Sequence, residues 1–473
     1  MLFLGFLLLS GCVLELPGSA SPDAGLYFPT DLEASPDGRF LYVVNSNFDQ
    51  RYQTAWLSVL DMDLLLSKPS GSEEVVAPGD VLGSRERGFG IRIMGLPGEL
   101  ALDRSGKRGA ITHRGFNHLD ESRVTFLDFA DDGSTVSCGD PAFVGDLTLS
   151  EQATDCDEDH FLMIRVDGGD NRGGEAQDDV SKYAWENPYS LSFMEVSESE
   201  QLLGIGFLGV DSIYRQVIAE RVRLYGVSDA GVEYKTSYEM SVAGVSSLVT
   251  VEDGSDRYMA VTSQLGAGVV SSVKIDESFL KGTNNVSLSD IQGDAGIQEL
   301  VGMERSPRGD GYYILSKRPN ALSFVKFSRE IEVETGKQGL EDAPVSVLKA
   351  DVFNTISLFG TPGDLVTWEA DSGHEYVAIS SFGRDLLQVF LRKGDGFELV
   401  YRTPVFGRDS DTGGVDEGPF ALQLVHRQSR YFLAVTHFFE HALYLYEVTG
   451  APDAFKLVYR IRDEDFESVG RFD

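Results

Sequence analysis

Four of the seven histidines lie in two short segments between strand-like stretches of the sequence. His113 and His118 are five residues apart, and His437 and His441 are four residues apart. Imidazoles titrate near neutral pH and bind transition metals, so these residues are candidates for a general acid/base or metal site. Polar residues at exposed hairpin tips are the alternative interpretation. No HExxH or Gly-x-Ser-x-Gly pattern accompanies them.

Acidic segments offer oxygen ligands for a hard cation. Asp409, Asp411 and Glu417 stand at the first, third and ninth positions of a Gly-rich segment, which is similar to a short calcium loop. The fifth position is a glycine without a carboxylate, and an ordinary acidic connector is the alternative. A second acidic segment, 155–159, is followed by His160 where a calcium loop has glycine. Calcium is therefore the one cofactor that the sequence suggests.

The elements that must position these residues repeat seven times. Each repeat has a short stretch ending in leucine, then a strand rich in aromatic and β-branched residues, then a second alternating strand. Repeats of about 40 to 50 residues built from short strands are typical of a β-propeller. We predict an all-β, seven-bladed β-propeller of four-stranded antiparallel blades over residues 26–461. The repeated leucines, which we expect in the core, are Leu32, Leu100, Leu191, Leu248, Leu300, Leu365 and Leu422.

The clearest repeat runs from Ser35-Pro36-Asp37-Gly38 to Asn45, and Leu57–Asp61 follows it. This pattern resembles the bacterial YVTN-type propeller repeat. Its Asp-Gly pair predicts a tight turn between the first and second strands. The resemblance implies a fold and indicates no activity.

Propeller geometry predicts which face could carry function. Loops from the second to the third strand, and those leading to the next blade, emerge on one face around the central channel. That face would collect the four histidines and the interruptions of the repeat at 139–187 and 406–418. Long loops in compact domains are commonly functional, so we expect a binding site there.

The amino terminus has a separate pattern. Leu2–Leu9 is an apolar run too short for a stable membrane anchor. Leu9-Ser10-Gly11-Cys12 resembles the lipobox of bacterial lipoproteins. That resemblance implies a signal peptide over 1–11, lipidation of Cys12 and a flexible tether over 12–25. Because Val13 is not aspartate, the resemblance favours the outer over the inner membrane of a bacterial cell envelope. The alternative to a lipoprotein is that the apolar run is a buried strand or an uncleaved anchor.

With Cys12 assigned to lipid, Cys138 and Cys156 are the remaining pair. A secreted chain with one pair of cysteines favours a disulfide, which would fasten the insertion 139–187. Two free thiols or a metal pair are the alternatives. Residues 462–473 form an acidic tail beyond the last repeat.

The chain is strongly acidic. It has 40 Lys and Arg against 75 Asp and Glu, a formal net charge of −35. Such a surface repels polyanions, so nucleic acid is excluded as a partner. We expect the chain to contact the membrane through lipid on Cys12 and to bind an envelope protein, peptide or glycan as a further partner.

Three functions remain open. The first is a lipid-anchored binding or scaffolding propeller that uses its loop face, since rigid rings with variable loops suit recognition. The second is a propeller enzyme, such as a lactonase-like hydrolase or a redox protein, with a histidine-containing site at the channel mouth. The third is a structural envelope component stabilised by calcium.

Overall fold

The structure is a computed structural model of the 473-residue chain. It describes the following residues: 25–48, 54–71, 75–82, 90–113, 123–139, 156, 160–163, 188–196, 201–207, 220–228, 231–240, 243–253, 256–265, 269–275, 286–290, 298–333, 344–381, 386–394, 396–403, 418–449 and 455–462. No helix among these residues is long and apolar enough to cross a membrane.

The described strands form seven sheets, numbered along the chain. In each, the four successive strands of the repeat pair antiparallel. Sheets 1 to 3 comprise β1 (Pro29–Ala34), β2 (Phe40–Asn45), β3 (Ala55–Asp61) and β5 (Gly90–Ile93); β6 (Pro97–Leu102), β7 (Arg108–His113), β8 (Arg123–Phe129), β9 (Val136–Cys138) and β10 (Phe161–Met163); and β11 (Pro188–Glu195), β12 (Gln201–Phe207), β13 (Glu220–Ser228) and β14 (Gly231–Met240).

The other sheets repeat the same order. Sheets 4 to 7 comprise β15 (Ala243–Asp253), β16 (Asp256–Leu265), β17 (Val269–Ile275) and β18 (Val286–Asp290); β19 (Gln298–Arg305), β20 (Tyr312–Arg318), β21 (Asn320–Val333) and β22 (Pro344–Ser357); β23 (Leu365–Glu369), β24 (Glu375–Ser381), β25 (Leu386–Lys393) and β26 (Gly396–Arg402); and β27 (Pro419–Arg427), β28 (Arg430–His437), β29 (Ala442–Val448), β30 (Phe455–Arg462) and β4 (Val75–Val76). One short helix, α1 (Met62–Leu66), and one 3₁₀ turn, Pro78–Asp80, lie between β3 and β5.

The prediction of an all-β propeller with four-stranded antiparallel blades is confirmed. Counted as regularly repeating blades, the structure has six, whereas the sequence predicts seven. The ladders nevertheless separate seven sheets, and their first strands contact one another in the closed cycle β1, β6, β11, β15, β19, β23, β27, β1. We keep the division into seven sheets, because each sheet contributes a first strand to this cycle.

The core lies between successive sheets. Seven apolar clusters each join two neighbouring sheets, and the cluster between sheets 7 and 1 closes the ring. The repeated leucines predicted as core are all buried. Because each sheet buries both faces, no blade is stable without its neighbours.

The predicted Asp-Gly turn joins β1 to β2. Ser35 Oγ and the Arg39 N–H both donate to Asp37 Oδ1, at 2.7 and 3.0 Å. Gly38 has a φ of +66°, and a Cβ there would collide with the carbonyl oxygen of His426 on sheet 7. Glycine is therefore required both by the turn and by the close approach of two sheets.

Two sheets gain a further strand at their outer edge. β4 pairs parallel with β30, so a segment from sheet 1 covers sheet 7. In sheet 2, β9 and β10 divide the outer edge of β8 between them. The predicted Cys138–Cys156 disulfide is confirmed and links the end of β9 to the segment before β10. Covered edges are protected from pairing with other chains.

Residues 25–28, the first that the structure describes, lie between sheets 1 and 7 and form no strand. The Tyr27 N–H donates to Asn45 Oδ1 at 2.9 Å, and Trp56 Nε1 donates to the Gly25 carbonyl at 3.1 Å. The chain therefore enters the ring on the face that carries the loops from second to third strands, called the loop face below.

Sheets 5 and 6 share a buried ion-pair network. Arg392, 5% exposed, donates to Glu375 Oε2 at 2.9 Å, and its two terminal nitrogens donate to Asp310 at 2.8 and 2.7 Å. Ser306 Oγ lies within hydrogen-bond distance of both Glu375 and Asp310. The arginine holds the pKa of Asp310 down to about 2. These groups satisfy one another and so form a structural joint.

Candidate functional site

His113 is the last residue of β7 and is buried. Its Nε2 and Thr125 Oγ1 are 2.7 Å apart. Burial lowers the pKa of His113 to about 3, so the imidazole is neutral near pH 7. His118, its predicted companion, lies outside the described residues.

The two histidines of sheet 7 are also buried. His437 packs its ring on Tyr444, with ring centroids 4.0 Å apart. His441 stacks on Tyr27 at 4.6 Å, and its Nδ1 accepts a hydrogen bond from the Phe28 N–H at 2.9 Å. The three candidate histidines that the structure describes therefore have structural partners, and the function proposed below does not use them.

The metal predictions meet no counterpart in the described part of the chain. There, no group of three or more His, Cys, Asp or Glu residues could hold a metal ion. The calcium candidates Asp409, Asp411 and Glu417 lie outside the described residues, as does Cys12. The calcium and lipidation sites stay predictions.

Acidic side chains from several sheets meet along the central channel. Three of them stand directly before a repeated leucine near the loop-face end of a first strand, and each accepts a hydrogen bond from the leucine N–H of the next sheet. First strands have an unpaired edge toward the channel, so these bonds satisfy backbone donors there. The bonded pairs are Asp31 Oδ2 and Leu100 N at 2.5 Å, Glu99 Oε2 and Leu191 N at 3.1 Å, and Asp364 Oδ2 and Leu422 N at 2.8 Å.

Two further carboxyls do not stand before a repeated leucine, and one of them, Glu304, hydrogen-bonds the backbone and side chain of Thr367 on sheet 6. Glu33 and Glu304 occupy equivalent positions of β1 and β19, since each pairs with a tyrosine of the second strand and precedes the turn by two residues. Glu304 Oε2 is buried without a hydrogen-bond partner among the described residues. A buried carboxyl oxygen without a partner is costly, so this position needs an explanation beyond packing.

The channel carboxyls hold protons more tightly than isolated acids do. Burial, with repulsion by Asp364, raises the pKa of Glu33 to about 8. Burial, with repulsion by Asp364 and Glu33, also raises the pKa of Glu304 to about 8. Burial raises the pKa of Asp364 to about 6, and burial with Glu99 raises that of Asp31 well above its usual range. The side chains keep partial solvent access, which we attribute to the channel.

No lysine or arginine is among the causes of these pKa shifts. Asp31, Glu33 and Glu304 are instead repelled by other acids of this group. Clusters of carboxyls with raised pKa are common at sites that bind cations or move protons. We define the acidic channel as Asp31, Glu33, Glu99, Glu304 and Asp364.

Sequence reasoning missed this site. The acids before the leucines are visible in the sequence as Pro-x-Asp-Leu and Pro-x-Glu-Leu, a pattern that by itself indicates only the repeat. Glu33 and Glu304 carried a weaker signal, a carboxyl at the same place in two strands otherwise rich in apolar residues. Their convergence depends on ring closure, which brings sheets 1, 5 and 6 together.

Comparisons with known proteins establish the fold alone. No family model and no curated protein matches the chain. A periplasmic gluconolactonase, PpgL, from Pseudomonas aeruginosa is similar in structure with a TM-score of 0.51 at 11% identity, covering 93% of this chain and 96% of its own. The β-propeller domain of Cps50 (Swd1) from Myceliophteria thermophila has a TM-score of 0.49 at 9% identity, covering 90% of this chain and 100% of its own. A putative 6-phosphogluconolactonase from Bacteroides fragilis has a TM-score of 0.48 at 10% identity, covering 92% and 94%. At such identities the likeness defines a β-propeller and assigns no activity.

Proposed function

We propose that this protein is a cell-envelope binding protein, held to the membrane by lipid on Cys12, that takes a cationic group of its ligand into the acidic channel. All seven sheets act as blades of the ring that encloses this site. The observation that carries the proposal is the meeting of Glu33, Glu304 and Asp364: Asp364 raises the pKa of both glutamates, Glu33 raises that of Glu304, and no basic side chain is among the causes. A bound cation would supply the positive charge that neutralises these carboxylates.

The ligand is an organic cation rather than a single metal ion. Calcium requires six to eight oxygens at about 2.3–2.6 Å from one point. The described acids come from four different sheets and form no such group. An extended ammonium or guanidinium ligand can instead contact several carboxyls in turn. The net charge of −35 would attract such a ligand from a distance.

Calorimetric titration with spermidine at pH 8 tests the proposal. The double variant Glu33→Gln/Glu304→Gln should weaken binding by at least about tenfold, as the loss of two charge contacts predicts. The matched control Asp371→Asn removes an exposed acid on the opposite face and should leave the affinity within about twofold. Equal affinities of the wild-type protein and the double variant would refute the proposal.

Lipid attachment has its own test. Growth with an alkyne fatty acid in a bacterial host should label the wild-type chain and leave a Cys12→Ala variant unlabelled. Fractionation should then move the variant from the membrane to the soluble fraction. Labelling of Cys12→Ala at the wild-type level would show that the anchor lies elsewhere.

A second candidate, a lactonase-like hydrolase, is favoured by one specific observation. A carboxyl whose pKa is about 6, as at Asp364, suits a general base near neutral pH. The similar structure of a gluconolactonase makes a lactone a reasonable first substrate. Hydrolysis of glucono-δ-lactone followed with a pH indicator should exceed the spontaneous rate and drop with Asp364→Asn. A wild-type rate equal to the spontaneous rate would exclude this candidate for that substrate.

A further inference from the structure

An aromatic ridge crosses the loop face from sheet 1 to sheet 7. We define it as Phe48, Phe28, Phe438 and Phe420. Successive ring centroids are 5.9, 4.9 and 5.7 Å apart, within the range of favourable aromatic pairs. Phe28 and Phe438 are buried in the middle, whereas Phe48 is 50% exposed and Phe420 is 36% exposed. The ridge thus presents two accessible rings on a rigid base.

Local structure holds the ridge in place. Phe48 follows β2, Phe438 follows β28, and Phe420 is the second residue of β27. Phe28 belongs to the entering segment, and its backbone N–H donates to His441. The buried rings are therefore fixed by both neighbouring sheets, and the exposed rings lose little freedom when a ligand binds.

The ridge adjoins the acidic channel through Ser380. Ser380 Oγ donates to the Phe420 carbonyl at 2.7 Å and accepts from the Asp364 N–H at 3.0 Å. The Asp364 carboxylate in turn accepts from Leu422, two residues beyond Phe420. One end of the ridge therefore lies beside an acid of the channel.

This neighbourhood defines the chemistry of an occupant. The ring face of phenylalanine attracts cations and apolar groups, and the carboxyls attract cations alone. A ligand that joins a positive group to an aromatic or apolar group would use both surfaces at once. An inorganic cation would use only the channel, and an uncharged apolar ligand only the ridge.

We infer that the aromatic ridge is a second subsite, and that the ligand is a basic peptide segment with an apolar side chain next to its Lys or Arg. This inference rests on the proposed function, since the positive group occupies the acidic channel. The apolar side chain lies on Phe420 and Phe48 at the mouth. The ring thereby distinguishes such a peptide from free polyamines.

Two probes separate the subsites: N-acetyl-arginine amide and N-acetyl-arginyl-phenylalanine amide. Calorimetry at pH 8 should give an affinity for the second probe at least about tenfold higher in the wild-type protein, a gain of the size that one buried aromatic group supplies. Phe48→Ser/Phe420→Ser should abolish this ratio, because it lowers the affinity for the dipeptide more than that for arginine amide. Phe353→Ser, which changes a similarly exposed (47%) phenylalanine on the outer strand β22, should preserve the ratio.

Each other outcome has a definite meaning. If Phe48→Ser/Phe420→Ser keeps the ratio while Glu33→Gln/Glu304→Gln weakens both probes, the ridge is not a subsite and the proposed function stands. If N-acetyl-phenylalanine amide binds as tightly as the dipeptide, the ridge is an apolar docking surface and the inference is wrong. If neither arginine probe binds the wild-type protein, both the inference and the proposed function fail. Unchanged circular dichroism would exclude misfolding of the variants.

Discussion

Asp31 Oδ2 accepts a hydrogen bond from the backbone N–H of Leu100 at 2.5 Å, so a carboxylate of sheet 1 holds the channel edge of sheet 2. Glu99 holds Leu191 in the same way. The acid before each of these leucines is therefore a structural contact as well as a source of charge in the channel. The same acids therefore both hold neighbouring sheets together and form part of the proposed binding surface.

Loss of this contact should weaken the ring. Asp31→Ala leaves the Leu100 N–H without its acceptor and should lower the free energy of unfolding by about 1–3 kcal/mol. Asp31→Asn keeps an acceptor oxygen and removes the repulsion by Glu99, so it should be clearly more stable than the alanine variant at pH 8. Urea denaturation measures both. Equal stability of the two variants would show that the hydrogen bond contributes nothing.

The channel acids should make stability depend on pH. The pKa of Glu33 and that of Glu304 are near 8 in the folded protein and near 4.5 in the unfolded chain. The folded state therefore binds more protons between these values, and its stability falls as pH rises from about 4.5 to about 8. Glu33→Gln/Glu304→Gln should be roughly 2 kcal/mol more stable than wild type at pH 9 and nearly equal at pH 4.5, allowing for partial solvent access. Thermal denaturation across this range would show parallel curves if the two acids were unperturbed.

Much of the architecture could be predicted from the sequence because propeller strands are short, rich in aromatic and β-branched residues, and end at turns. The run Phe40–Asn45, the Asp-Gly turn and the repeated leucines each predict local structure correctly. Composition also favoured the disulfide, because Cys138 and Cys156 are the remaining pair if Cys12 carries lipid. Patterns of residue type along the sequence suffice to predict these strands, turns and the disulfide.

The site depended on relationships between distant residues. Glu33 and Glu304 are far apart in the chain and meet through the closed cycle of first strands. The environment of His441 also depends on a distant residue, since Tyr27 from the entering segment covers it. Sequence patterns alone could not show that covering contact. Residue type suggested chemistry at His441, and tertiary packing gave it a structural partner instead.

The joint between sheets 5 and 6 should be more sensitive than surface ion pairs. Arg392→Met leaves the fully buried Glu375 with Arg308, whose Nε lies 3.6 Å away, as its remaining cation among the described residues, beside the hydrogen bond from Ser306. Breaking a buried pair in this way costs about 3–5 kcal/mol. Lys393→Met, on the same strand, removes an exposed pair with Glu398 and should cost at most about 1 kcal/mol. Chemical denaturation compares the two, and similar losses for both would contradict a buried joint.

The disulfide should stabilise the protein by holding the outer edge of sheet 2 in place. Cys138 ends β9 and Cys156 precedes β10, and the Cys156 N–H donates to the Arg92 carbonyl of sheet 1 at 3.0 Å. The bond closes a loop with a sequence separation of 18 residues, for which chain entropy predicts about 3 kcal/mol of stabilisation. Cys138→Ser/Cys156→Ser should lower the urea midpoint accordingly, and dithiothreitol should have the same effect on wild type and none on the variant. If reduction left the wild-type midpoint unchanged, β10 would be held by its pairing with β8 alone, and the bond would contribute nothing to the stability of the ring.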